Sequence, residues 1–154
     1  MTRTSSALCA AAVLALAGCT TMDGRMGMSK EVIASKSAPE AIGPYSQAIR
    51  YGSMLFLSGQ IPINPANNQL MATASIEDQT RLVLDNLKAV LAANNMTMDN
   101  VVSTSVFMKD LNEFSRMNAV YATYFKSAPP ARATVEVARL PRDVKVEISA
   151  IAVR

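Results

Sequence analysis

The sequence predicts an α+β domain, a mixed sheet with helices packed on one face. Three observations predict it. Two stretches carry apolar residues at helical spacing, and the others are short, β-rich segments bounded by Gly, Pro and Asn. These stretches interleave in the order β-β-β-α-β-α-β-β. Half of the 154 residues are hydrophobic and 18% are charged, which suits one globular domain of ordinary size and not a disordered chain.

The first 29 residues stand apart from that domain. Arg3 is followed by an apolar run from Ala7 to Ala17, of signal-peptide length and far short of a membrane span. The run ends in Leu16-Ala17-Gly18-Cys19. Residues 1–18 therefore read as a signal, and residues 19–29, with Gly24, Gly27 and three Met, as a tether. Met28-Ser29-Lys30 also reads as a natural start, which leaves an alternative origin of the chain open.

From residue 30 the elements follow in order. Lys30 to Ser35 reads as a strand, and Pro39 and Gly43-Pro44 force a loop. Gln47 to Tyr51 and Met54 to Ser58 read as a hairpin about Gly52-Ser53. Ser75 is placed to cap a helix whose apolar stripe is Val83, Leu84, Leu87, Val90 and Leu91, and Asn94-Asn95 to end it. Val101 to Met108 alternates as a strand. Asp110 and Glu113 form a capping-box pattern before a second helix with the stripe Phe114, Met117, Tyr121, Tyr124, Phe125. Pro129-Pro130 breaks the chain, and Ala133 to Ala138 and Val144 to Val153 read as the last strands. Met54, Met96, Met108 and Met117 are expected to fill gaps in the core.

What is missing constrains the chemistry. There is no histidine, so a Ser-His-Asp triad or His-ligated zinc is ruled out. Both cysteines, Cys9 and Cys19, precede the domain, which has no disulfide to stabilise it. The net charge of +3 is spread over isolated basic residues, without the patch a nucleic-acid binder needs. Carboxylates, Arg, Tyr, hydroxyls and backbone amides remain. Arg132 lies between a Pro-rich loop and a strand, where its planar fork suits a carboxylate; a surface ion pair is the plainer reading. In the last strand Val146, Ile148, Ala150 and Ala152 share one face, so Glu147 points to the other, towards a cleft or a partner. There it is placed to orient water, or to pair with Lys145 or Lys109. Tyr45 follows a pinned Gly43-Pro44, and Ser58-Gly59 ends a strand where Gly permits close backbone approach.

Three segments carry a resemblance: Ala41-Ile42-Gly43-Pro44-Tyr45-Ser46-Gln47, Ser58-Gly59-Gln60-Ile61-Pro62, and the run from Pro130 through Arg132, Thr134 and Glu136 to Ile148. With Asn118-Ala119-Val120-Tyr121 at fitting spacing, residues 28–154 resemble the RidA/YjgF family of enamine/imine deaminases. The resemblance implies a chorismate-mutase-like fold with two helices on one face. It implies a homotrimer with a ligand cleft at each subunit interface, and hydrolysis of 2-imino acids such as 2-iminobutanoate or 2-iminopropanoate to 2-keto acids and ammonia. No metal or cofactor is implied, and no nucleic-acid partner. Carried over residue by residue, it makes Arg132 the carboxylate anchor and Glu147 the water-holding acid. Tyr45, Ser58, Gly59, Asn118 and Thr134 complete the substrate site. Thr134 stands where many members have Cys, so thiol-based redox control is excluded here. The loop before Pro130 is shorter than in some relatives and borders the cleft. A non-catalytic module binding small carboxylates at the cell envelope is the alternative function; ribonuclease activity ranks last.

Residues 16–19 resemble the lipobox of bacterial lipoproteins, which implies lipidation at Cys19 and attachment to the envelope by lipid alone. The outer membrane is the expected location, because Thr20 and not Asp follows Cys19. A start at Met28 implies a cytoplasmic protein instead, where most of the family resides.

Overall fold

The computed structural model describes residues 29–154; the expected signal, the lipidation residue Cys19 and nearly all of the tether lie outside them. Six strands form one sheet: β1 (Lys30–Ile33), β2 (Ala48–Tyr51), β3 (Met54–Gln60), β4 (Val101–Met108), β5 (Ala131–Glu136) and β6 (Val146–Val153). Their order across the sheet is β1-β2-β3-β6-β4-β5. All neighbours are antiparallel except β4 and β5, whose parallel pairing is made by the crossover through helix α2 (Phe114–Tyr124). Helix α1 (Ile76–Ala93) joins β3 to β4, and both helices lie on the same face. The predicted α+β layer and element order are those observed.

The core sits between that face and the helices. Val83, Leu84, Leu87, Val90 and Leu91 of α1 are at most 1% exposed. They meet Leu55 and Leu57 of β3 and Val146, Ile148, Ala150 and Ala152 of β6. Each large aliphatic chain so buried stabilises the fold by about 1.5–3 kcal/mol. Ser75 caps α1: its Oγ accepts from the Asp78 N–H at 3.1 Å and donates to the Asp78 carboxylate at 2.8 Å. Asn95, at φ 52°, ends the helix in the left-handed conformation that Asn tolerates. Gly52 takes φ 60° in the two-residue turn between Tyr51 and Met54.

Several local expectations are corrected. Glu113 does not close a capping box on Asp110. Asp110 accepts from the Asn112 N–H in a 3₁₀ turn (Leu111–Glu113), while Glu113 takes Lys145 Nζ at 2.9 Å and Arg116 at 3.3 Å. The nearby ammonium of Lys145 competes for that carboxylate. β5 starts at Ala131, two residues before its predicted start, because hydrogen bonding to β4 begins as soon as Pro130 is passed. β1 ends at Ile33, short of Ser35, whose N–H is taken by the Gln47 side chain. Met96, Met108 and Met117 fill the core as expected, but Met54 is 36% exposed on the opposite face.

That opposite face is not covered by helix. It carries Tyr51, Met54 and Phe56, each 36% to 44% exposed, with Ile151 and Phe107 beside them and Val135 at the β5 edge.

Buried amides tie the loops near this sheet in place. Gln47, 6% exposed, donates to the Pro39 carbonyl at 2.6 Å and accepts from the Ser35 N–H at 2.6 Å. Asn86 of α1, 1% exposed, donates to the Ile63 carbonyl at 3.0 Å. Gln79 accepts from the Lys145 N–H at 2.9 Å and so fixes the approach to β6. Left unpaired, each such group would cost about 1–3 kcal/mol, so these bonds specify the loop positions.

A candidate active site in two halves

The alternation of β6 sends Glu147 to the face without helices, where it lies opposite Phe107 of β4. Next to it, β3 carries an irregularity. Leu57 pairs with Ala150, but Gln60 pairs with Ile148, so Ser58-Gly59 is an extra residue's worth of chain against β6. The bulge brings the Gly59 backbone against the Glu147 side chain. A Cβ at Gly59 would lie 2.9 Å from the Glu147 carboxyl carbon and overlap Oε1. Gly is therefore required for packing at this position, not for φ.

Glu147 and this bulge open into a cavity of about 310 Å³. Tyr45, Ile42, Ile61 and Pro141 supply its apolar walls, with Ser58, Gly59 and Gln60 along one side. Tyr45 is 47% exposed and so not a core residue; its hydroxyl accepts from the Ile42 N–H at 3.3 Å, which closes the Gly43-Pro44 turn. Ser58 Oγ donates to the Ser46 carbonyl at 2.6 Å and holds the Tyr45 loop to the bulge. The carboxylate of Glu147 has no ion pair or hydrogen bond among the described residues; Lys145 is committed to Glu113. Desolvation raises the Glu147 pKa above the usual glutamate value of 4.5.

Arg132 lies elsewhere. In the parallel β4–β5 register it stands beside Thr104, and Thr134 beside Val106; both Thr104 and Val106 are buried under the helices. Arg132 and Thr134 therefore project to the helix face at the open β5 edge. The Arg132 guanidinium carbon lies 4.5 Å from the Tyr121 ring centroid and 5.6 Å from that of Phe114. Asn118 is one turn beyond Phe114 and one before Tyr121 on the same stripe of α2, so it borders the same spot. Thr134 Oγ1 is buried and has no hydrogen-bond partner among the described residues, a group that ordinarily finds one.

The seven expected substrate-site residues thus form two half-sites on opposite faces of one sheet. Tyr45, Ser58, Gly59 and Glu147 form one; Arg132, Thr134 and Asn118 form the other. Sequence reading missed Gln60 and Pro141 as cavity residues. It took Tyr121 and Phe114 as core alone, since helical spacing does not distinguish a core ring from one that also carries a cation.

A family model described as endoribonuclease L-PSP matches residues 35–154. Among curated relatives, the 2-iminobutanoate/2-iminopropanoate deaminase of Escherichia coli is 49% identical over 130 residues, spanning 82% of this chain and 99% of the relative. A RutC family protein of Pyrococcus horikoshii is 52% identical over 123 residues, 80% of this chain and 97% of its own. Solved structures agree. A Rid family protein of Yersinia pestis has a TM-score of 0.79 at 50% identity, covering 82% of this chain and 100% of its own. Escherichia coli TdcF, solved with bound serine, has a TM-score of 0.77 at 45% identity, covering 80% and 98%. Across nearly the whole described domain, in sequence and in fold, this chain belongs to the RidA/YjgF family.

Proposed function

We propose that the protein hydrolyses 2-imino acids to 2-keto acids and ammonia, and that a homotrimer assembles each site from the Glu147 half of one subunit and the Arg132 half of the next. The observation that carries this reading is the half-buried Glu147 carboxylate, without an ion pair or hydrogen bond among the described residues, at the wall of a largely apolar cavity. A carboxylate kept partly dry and free of a cation is costly unless it is used. The uncovered face with Tyr51, Met54 and Phe56 supports assembly, since an apolar face of this kind needs cover. The deaminase relative supports the imino-acid substrate, and the serine held by TdcF supports a ligand bearing an α-carboxylate.

In the reaction, the fork of Arg132 takes the substrate carboxylate by two charge-assisted hydrogen bonds. The orphan hydroxyl of Thr134 and the amide of Asn118 supply further bonds to it. Water held by Glu147 attacks C2 of the imine, and Glu147 takes one of its protons as the C–O bond forms. The same carboxyl delivers that proton to nitrogen, which gives the carbinolamine; a second transfer, from the new C2 hydroxyl through Glu147 to nitrogen, forms the C2 carbonyl as the C–N bond breaks and ammonia leaves. The elevated pKa of Glu147 suits both halves of this transfer. Neither metal nor cofactor enters the balance: imino acid and water give keto acid and ammonia. The endoribonuclease in the family model's description finds less support, because the chain has no histidine for general acid–base cleavage.

The test is to assay 2-aminoacrylate, generated in situ, for ammonia and keto-acid release, with Arg132→Ala and Glu147→Gln alone and mixed. Each variant alone should be nearly inactive. Co-refolded in equal amounts, they should regain activity in about a quarter of the clefts, because every mixed ring keeps one interface with both residues intact. No recovery on mixing would overturn the shared cleft. No turnover by the unaltered protein would overturn the activity and favour the binding module.

We further propose that lipidation of Cys19 anchors the domain to the bacterial envelope. Intact-mass analysis of the protein from its native membrane should find a diacylated or triacylated chain beginning at Cys19; an unmodified chain beginning at Met1 or Met28 overturns this.

A further inference from the structure

We propose that Tyr121 is a positioning residue for substrate recognition: it holds the Arg132 guanidinium by its face and leaves the N–H edge for a planar carboxylate. The inference rests on the reading of Arg132 as carboxylate anchor. Four observations carry it. Arg132 Cζ lies 4.5 Å over the Tyr121 ring, with the Phe114 ring at 5.6 Å as a second, weaker support. Arg132 makes no ion pair or side-chain hydrogen bond among the described residues, so stacking is what fixes its orientation. The ring itself is immobilised. Tyr121 is 4% exposed, its hydroxyl shares a 2.7 Å hydrogen bond with Thr104 Oγ1, and Phe125 packs on it at 4.6 Å between centroids. Finally, Thr104 is the register partner of Arg132 across the β4–β5 pair. One threonine thus orients the ring from the strand next to the arginine that the ring supports.

The consequence is a matter of shape. A long side chain at an open sheet edge loses rotamer freedom when it binds ligand, and a ring that holds it beforehand removes part of that cost. The ring beneath Cζ also limits how far the fork can turn. A planar carboxylate lies wholly in the plane of the fork, whereas a tetrahedral phosphonate, gripped by two oxygens in the same way, projects its remaining oxygen and its carbon out of that plane, to the side where the ring stands. The platform should therefore raise both affinity for carboxylates and selectivity against phosphonates.

Calorimetry with 2-ketobutyrate and with propionylphosphonate, on the full protein, tests this without relying on turnover. Tyr121→Leu should weaken 2-ketobutyrate binding by about 3- to 30-fold, the range of a desolvated cation–π contact. It should also narrow the preference over propionylphosphonate. Tyr121→Phe keeps the ring and should restore most of both. If Tyr121→Leu does not fold, Thr104→Val answers the same question: it frees the ring while leaving it present, and should narrow the preference about 2- to 3-fold. Unchanged affinity and unchanged preference in whichever of these variants folds would overturn the proposal. The underlying reading has its own control. If Arg132→Ala binds 2-ketobutyrate like the unaltered protein, the anchor itself is wrong; if Arg132→Ala loses binding while the Tyr121 or Thr104 variant does not, only the positioning role fails.

Discussion

The two half-sites are built by opposite means. Arg132 is held: an aromatic platform supports it, the platform is hydrogen-bonded to the neighbouring strand, and nothing among the described residues competes for its N–H edge. Glu147 is instead given room: a glycine yields space, largely apolar walls reduce its solvation, and no partner among the described residues fixes its charge. The contrast follows from titration. A guanidinium keeps its charge at any working pH, so the fold has only to aim it. A carboxylate that must both take and give a proton needs an environment that makes the two states closer in energy. Rigid support suits the binding half and desolvation the reacting half.

The sharpest way to break this contrast is at Glu147. Glu147→Gln is nearly isosteric and accepts no proton, so kcat should fall by about 10²–10⁴ with 2-ketobutyrate binding retained. Full turnover in that variant would make the carboxylate structural. Gly59→Ala attacks the same half through space. Its methyl must displace the carboxylate, and a misplacement near 1 Å should lower kcat by roughly 10²-fold in single-turnover assays while the fold persists in circular dichroism. In the binding half, Arg132→Ala should raise KM by about 10- to 100-fold, the worth of about one charged hydrogen bond. Arg132→Lys should recover little, because a point charge lacks the fork. The smallest effect lies in the pH dependence. The acid limb of kcat should fall above the usual glutamate range of 4.5, since activity needs the ionised form. Stability carries the same sign. A pKa raised on folding means the protonated carboxyl favours the folded state; that contribution is whole below pH 4.5 and lost as pH rises through the folded pKa. Thermal melts of Glu147→Gln should therefore match the unaltered protein at pH 4 and exceed it at pH 8.

The fold was largely legible in the sequence because periodicity survives folding. The α1 stripe and the β6 alternation need only local geometry, and each appears where its residues predict it. In β4 the alternation holds from Thr104 to Met108, but Val102, which strict alternation places with Val106 and Met108, is 48% exposed because the pairing with β6 shifts register between Val101 and Ser103. Alternation alone also puts Glu147 on the face away from the core. The split between half-sites was harder. Whether Arg132 and Glu147 share a face depends on which strand neighbours which, and β6 inserts between β3 and β4 through long-range pairing that no local pattern encodes. The Ser58-Gly59 bulge is likewise a matter of register between β3 and β6. Glu113 was misread for a related reason: its capping pattern is local, whereas Lys145, which claims it, is 32 residues away.

The strand that carries Arg132 is also one of the two edges of the sheet, β1 being the other. An exposed edge is a template on which a stray strand from another molecule can grow. Here the approach is blocked: Pro129-Pro130 offers no N–H at its start, and Arg132 and Glu136 set opposite charges along it. Glu136 is further occupied by the Leu111 N–H at 2.8 Å. A charge on such an edge disfavours this growth, so replacing Arg132 with an apolar residue should lower the yield of soluble protein as well as the activity.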